Sequence, residues 1–141
     1  MDIEQIYNFL IEKQGVKRSA LFPECDFTQD LGIEGDDFSE LIESFAVKYQ
    51  VNMDSYLWYF LHRVEGWNLG ALFFKPPYQQ VQTIGICPQT LLDAAQSKMW
   101  PISYPSHQLT NGRLDLTFNK VLFICSFILG CLIWFFSNVG F

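Results

Sequence analysis

The sequence predicts an α+β, mainly helical fold: a small domain over residues 1–101 with short strands, a linker over 102–119, and one transmembrane helix over 120–141. Three observations predict it. Apolar residues recur at helical spacing in three separate stretches. An aromatic-rich region between the second and third of these loses that period. The residues from Val121 onward carry no formal charge, while all nine Lys and Arg lie at or before Lys120.

The first helix is expected over residues 2–14, where Ile3, Ile6, Tyr7, Leu10 and Ile11 fall on one face. Asp2 suits its cap and Gly15 its stop. A loop with Phe22-Pro23 and Gly32 follows. The second helix, 36–49, places Phe38, Leu41, Ile42, Phe45 and Tyr49 on one stripe, and Asp36 is its expected cap. Residues 53–74 hold Tyr56, Trp58, Tyr59, Phe60, Trp67, Phe73 and Phe74, a composition suited to short strands. Pro76-Pro77 ends that region, and Val81, Thr83 and Ile84 read as a brief β-prone piece. A third helix opens at Pro88, which suits a first helical position. Leu91, Leu92, Ala95 and Met99 form its apolar face, and Trp100-Pro101 is its expected stop.

At about 1.5 Å per residue, the uncharged run from Val121 is long enough for the roughly 30 Å hydrocarbon core of a bilayer. It reads as a transmembrane anchor. The start, Met1-Asp2-Ile3-Glu4-Gln5, lacks the basic and apolar regions of a secretory signal, so the amino-terminal domain is expected in the cytoplasm. Arg113 and Lys120 precede the anchor, which fits a positive-inside arrangement in a bacterial inner membrane. Ser126 and Gly130 form a small-xxx-small pair, a weak dimerisation signal.

The formal charge of −6 and the lack of a basic cluster larger than Lys17-Arg18 argue against a nucleic-acid partner. Four cysteines, with no CxxC pair and only His62 and His107 as histidines, favour neither a disulfide framework nor a zinc site. No cofactor is expected.

Residues 24–43 contain eight acids and no Lys or Arg. Within them runs Asp30-Leu31-Gly32-Ile33-Glu34-Gly35-Asp36-Asp37-Phe38-Ser39-Glu40-Leu41. This order resembles the turn of acyl carrier proteins, Asp-Leu-Gly-x-Asp-Ser-Leu-Asp-x-x-Glu-Leu, whose Ser carries the phosphopantetheine arm. Asp30, Leu31, Gly32, Asp37, Glu40 and Leu41 match, and Gly35 stands where the attachment Ser would be. Glycine has no oxygen to esterify. The chain also resembles the bacterial family known as domain of unknown function 1493, itself similar to a degenerate carrier protein. That resemblance rests on the Gly-Asp-Asp turn, on Tyr59-Phe60-Leu61-His62-Arg63-Val64-Glu65-Gly66, and on the late helix closing at Trp100-Pro101; it covers residues 1–101. It implies an acyl-carrier-like helical domain and supplies no activity.

A calcium loop is another reading of the acidic stretch. Starting from Asp30, the third and twelfth positions are Gly32 and Leu41, so an EF-hand frame fails. His62 and Glu65 are close enough in sequence for an acid/base pair, but no nucleophile elbow or phosphate-binding Gly loop completes a site, and His62 is expected as a packed residue. The expectation is therefore a non-catalytic interaction domain. Asp36, Asp37, Glu40 and Glu43 would dock a basic protein surface, as carriers present acids to their enzymes. The alternatives are a cryptic phosphopantetheine or acyl carrier using Ser39, and an immunity or regulatory partner of a neighbouring gene product.

Overall fold

The computed structural model describes residues 1–139. They form four α-helices, α1 (Ile3–Gln14), α2 (Gly35–Tyr49), α3 (Pro88–Ser97) and α4 (Leu114–Val139), joined by loops with short 3-10 turns. Two compact units emerge: a helical unit, Met1–Glu65 with Val81–His107, and an anchor unit, Gly66–Gln80 with Gln108–Phe141.

In the helical unit, α1 starts at a reciprocal cap. The Gln5 amide donates to Asp2 Oδ1 (3.1 Å) and the Asp2 amide donates to Gln5 Oε1 (3.3 Å). It ends at Gly15, whose φ of 64° is the left-handed conformation that glycine adopts without a Cβ penalty. The expected face is buried through Ile6, Tyr7 and Leu10, and Phe9 joins it. Phe9, Phe27, Phe38, Phe45 and Phe60 fill the centre with Ile6, Leu10, Leu41, Ile86 and Leu91, and α1 packs against both α2 and α3.

Three expectations need correction. The described residues contain no strand, so the α+β class with short strands gives way to a mainly helical fold. The aromatic region turns through 3-10 segments at Trp58–Phe60 and Leu69–Leu72 instead. Its neighbours make single backbone contacts rather than ladders: Ile84 N donates to Phe60 O (2.7 Å), Phe27 N to Ile86 O (2.9 Å), and Asn52 forms one isolated parallel bridge with Met99. Phe60 buries its ring in the helical core with Tyr56 and Tyr59 packed against it, while Trp67 and Phe73 stay exposed, and none of them pairs as a strand. Second, α2 begins at Gly35, with Glu34 rather than Asp36 at the cap position. Third, α3 stops at Ser97, three residues before Trp100, and Met99 is exposed. The cause is local: Lys98 turns left-handed (φ 61°), which frees the chain so that Asn52 N donates to Lys98 O (2.9 Å) and Trp100 N to Asn52 O (3.0 Å).

The stretch expected as a linker contributes Ile102 and Tyr104 to the helical core. Tyr104 Oη accepts from Trp100 Nε1 (2.8 Å) and from the Leu57 amide (3.2 Å).

In the anchor unit, α4 is 26 residues long and begins at Leu114, six residues before Lys120. It is long and apolar enough to cross a membrane, and none of its apolar window is buried within the protein. The final two residues of the expected anchor, 140 and 141, lie outside the described residues.

Candidate functional site

The loop before α2 is built by its carboxylates. Asp26 Oδ1 accepts from the amides of Thr28 (2.9 Å) and Gln29 (2.8 Å), and Asp30 Oδ2 accepts from the Asp26 amide (2.7 Å). Two of the eight acids of residues 24–43 are thus committed to holding the turn. Phe27 is driven into the core, and Ile33 N donates to Phe27 O (2.8 Å), which closes the loop and delivers the chain to α2.

On α2, Phe38, Leu41, Ile42 and Phe45 face inward while Asp36, Asp37, Glu40 and Glu43 are all exposed. The structure brings Asp36, Glu40 and Glu43 onto one stripe at i, i+4 and i+7, with Asp37 beside it. Among the described residues the ion pairs are Arg18–Glu4, Lys48–Glu12 and Arg113–Asp115, so the four α2 carboxylates have no intramolecular countercharge within salt-bridge distance. Asp36 and Asp37 lie in the first turn, where the helix dipole favours them. Ser39 is half-buried on the same helix.

Gly35, the first residue of α2, is covered by a side chain from elsewhere in the helical unit. Its φ is +54°, and a Cβ placed there would collide with the Glu65 side chain. A residue 30 positions on in sequence therefore covers the α-carbon at the start of α2. Nothing local in the sequence signals this cover, because it depends on the path of the aromatic region.

Beside it lies a cleft of about 330 Å³ bordered by Thr28, Glu34, Leu61, His62, Arg63 and Thr83. The His62 ring stacks on Phe38 (centroids 5.2 Å apart) and tilts against Trp58 (5.7 Å). Its Nδ1 is 3.3 Å from the Arg63 carbonyl, which makes Nδ1 the protonated nitrogen of the neutral ring. Burial between the two aromatics holds the imidazole below its ordinary pKa, although the Arg63 carbonyl and the charge of Asp36 pull it back up. The ring is a packed residue, as expected from the sequence. Among the described residues no hydrogen bond joins His62 to Glu65, and no three His, Cys, Asp or Glu side chains group as metal ligands. Cys25 is buried, and that burial pushes its thiol pKa up.

Fold and site together define a small, mainly helical acidic domain in a chain that also carries an apolar helix able to span a membrane. No family model, curated protein or solved structure matches the chain.

Proposed function

We propose that this protein is a non-catalytic, membrane-tethered interaction module, with its helical unit in the cytosol at the inner membrane and the acidic face of α2 as its docking surface. One observation carries the reading: Asp36, Asp37, Glu40 and Glu43 are exposed together on a helix whose other face is locked in the core, and among the described residues no cation lies within salt-bridge distance of them. A rigid stripe of uncompensated carboxylates steers a basic protein surface and gains most from meeting one. The carrier-like order of residues 30–41 is consistent with this use, as a carrier fold that keeps the acidic recognition helix. The glycine at the attachment position, covered by Glu65, supports a domain that has given up the arm. Tethering by α4 would raise the local concentration of the encounter.

Reversing Asp36, Asp37, Glu40 and Glu43 to Lys is expected to abolish capture of a basic partner in a pull-down from membrane extracts, with the folded state checked by circular dichroism. Unchanged capture would sink the proposal. The rival, a phosphopantetheine arm on Ser39, predicts a mass increase after incubation with a phosphopantetheinyl transferase; the proposal predicts none.

A further inference from the structure

Residues 66–80 contain no acid and one base, Lys75, and their large apolar side chains point outward: Trp67 is 94% exposed, Leu72 78% and Phe73 70%. Exposure on this scale in one short turn marks a surface that meets something apolar. What the turn is attached to identifies the partner. Asn68, Asp115 and Asn119 form a closed polar clasp between the turn and the start of α4. Asn68 Nδ2 donates to Asp115 Oδ2 (2.8 Å), Asn119 Nδ2 donates to Asn68 Oδ1 (2.8 Å), and the Gly70 amide donates to Asn119 Oδ1 (2.7 Å). Asp115, only 1% exposed, is held by a forked pair from Arg113, Nε to Oδ1 (2.9 Å) and Nη2 to Oδ2 (2.7 Å). Gly70 sits so close to the Asp115 backbone that a Cβ would collide with it. Phe73 and Phe74 pack on Phe118 (5.1 and 6.1 Å).

The clasp sets the turn beside the apolar run itself. Trp67 and Leu69 share a groove of about 270 Å³ with Asn119, Leu122, Phe123 and Ser126. At about 1.5 Å per residue, Leu122 to Ser126 lie within about 8 Å of the start of that run at Val121. Half of the amides of residues 67–74 are satisfied within the protein, which lowers the cost of entering a lipid interface. The amides of Gly70, Ala71, Phe73 and Phe74 all donate, to Asn119 Oδ1, to Asn68, and twice to Gly70 O.

We propose that residues 67–74 are a second membrane-inserted element, a 3-10 turn lying in the bilayer interface beside α4, with Trp67 at the depth of Leu122–Ser126 and phospholipid acyl chains covering Trp67, Leu72 and Phe73. The inference rests on α4 being the membrane anchor. Continuity of this apolar surface with the lipid-facing side of α4 selects lipid over a protein partner. Lys75 and Lys120 give the anchor unit positive charge that suits anionic headgroups, Arg113 being paired with Asp115.

The test is nitroxide quenching of tryptophan emission in the full-length chain, reconstituted in vesicles of phosphatidylcholine and phosphatidylglycerol that carry the nitroxide either near the headgroup or deep in the acyl chain. In a Trp134→Phe background, headgroup-proximal nitroxide is expected to quench emission, and adding Trp67→Phe is expected to remove most of that quenching. Equal quenching with and without Trp67 would overturn the proposal, leaving the turn in water or against protein. The anchor is checked separately: deep nitroxide must quench a component of the unaltered protein that Trp134→Phe abolishes. Its absence would sink the anchor, and the inserted turn with it.

Discussion

The two units handle apolar surface and charge in opposite ways. The helical unit carries all but one of the acids, for a formal charge of −8, and buries five of its six phenylalanines among three short helices. The anchor unit carries three bases and one acid, for a charge of +2, and hides its single carboxylate while leaving Trp67, Leu72, Phe73 and the sides of α4 open. In water the first arrangement is ordinary and the second is not: the transfer free energy that drives Phe45 inward would penalise every exposed ring of α4. The inversion makes sense if the solvent differs. A buried polar clasp under an apolar exterior is how a chain presents itself to lipid, where unsatisfied polar groups are the costly ones.

Deleting a ring from each unit tests that contrast most strongly. Phe45→Ala, in the centre of the helical core, is expected to cost about 3–5 kcal/mol by urea unfolding in detergent micelles, from lost burial plus the cavity left behind. Phe127→Ala, on the open side of α4, should leave the same transition in place. Equal losses would mean that α4 packs into the protein's own core. Next in size, Gly70→Ala forces a Cβ against the Asp115 backbone and is expected to cost the anchor unit about 1–3 kcal/mol through displacement of the turn. Limited proteolysis should then cut within residues 66–80, whereas a variant as resistant as the unaltered protein would show that the clasp does not hold the turn.

The smallest effect concerns His62. Its pKa is lower folded than unfolded, so the unfolded chain binds the proton more readily. Stability should be full above the ordinary value of about 6.5 and fall as pH drops through that value toward the folded pKa. Asp36→Asn removes a charge that favours the imidazolium and should lower the folded pKa further, as read from the ring proton shifts by NMR. A His62 titrating at or above the ordinary value would contradict the packing on Phe38 and Trp58.

The three short helices were legible because their inward faces repeat at 3.6 residues, and the cap at Asp2 and stop at Gly15 follow local chemistry. Phe9 was missed because it lies off the expected stripe and packs on Phe45 and Tyr49, which only the folded arrangement brings to it. The exposed carboxylates at Asp36, Asp37, Glu40 and Glu43 were legible too, as the complement of a recognised apolar stripe. Their lack of salt-bridge partners was not, since that depends on where every cation lands.

What the sequence determined alone is therefore periodic or compositional: the helices of the acidic unit, the polar face of α2, and an uncharged run long enough to cross a bilayer. Each is a property of residues within a few positions of one another, and local backbone geometry suffices to express it. Tertiary structure alone decided what the aromatic middle does. Strand propensity there yielded to 3-10 turns, one of which is fastened to distant groups. Glu65 covers Gly35, and Asn68 meets Asp115 and Asn119 across 47 and 51 positions. Contacts at that separation are chosen by competition for burial and hydrogen bonds over the whole chain, which no local pattern records.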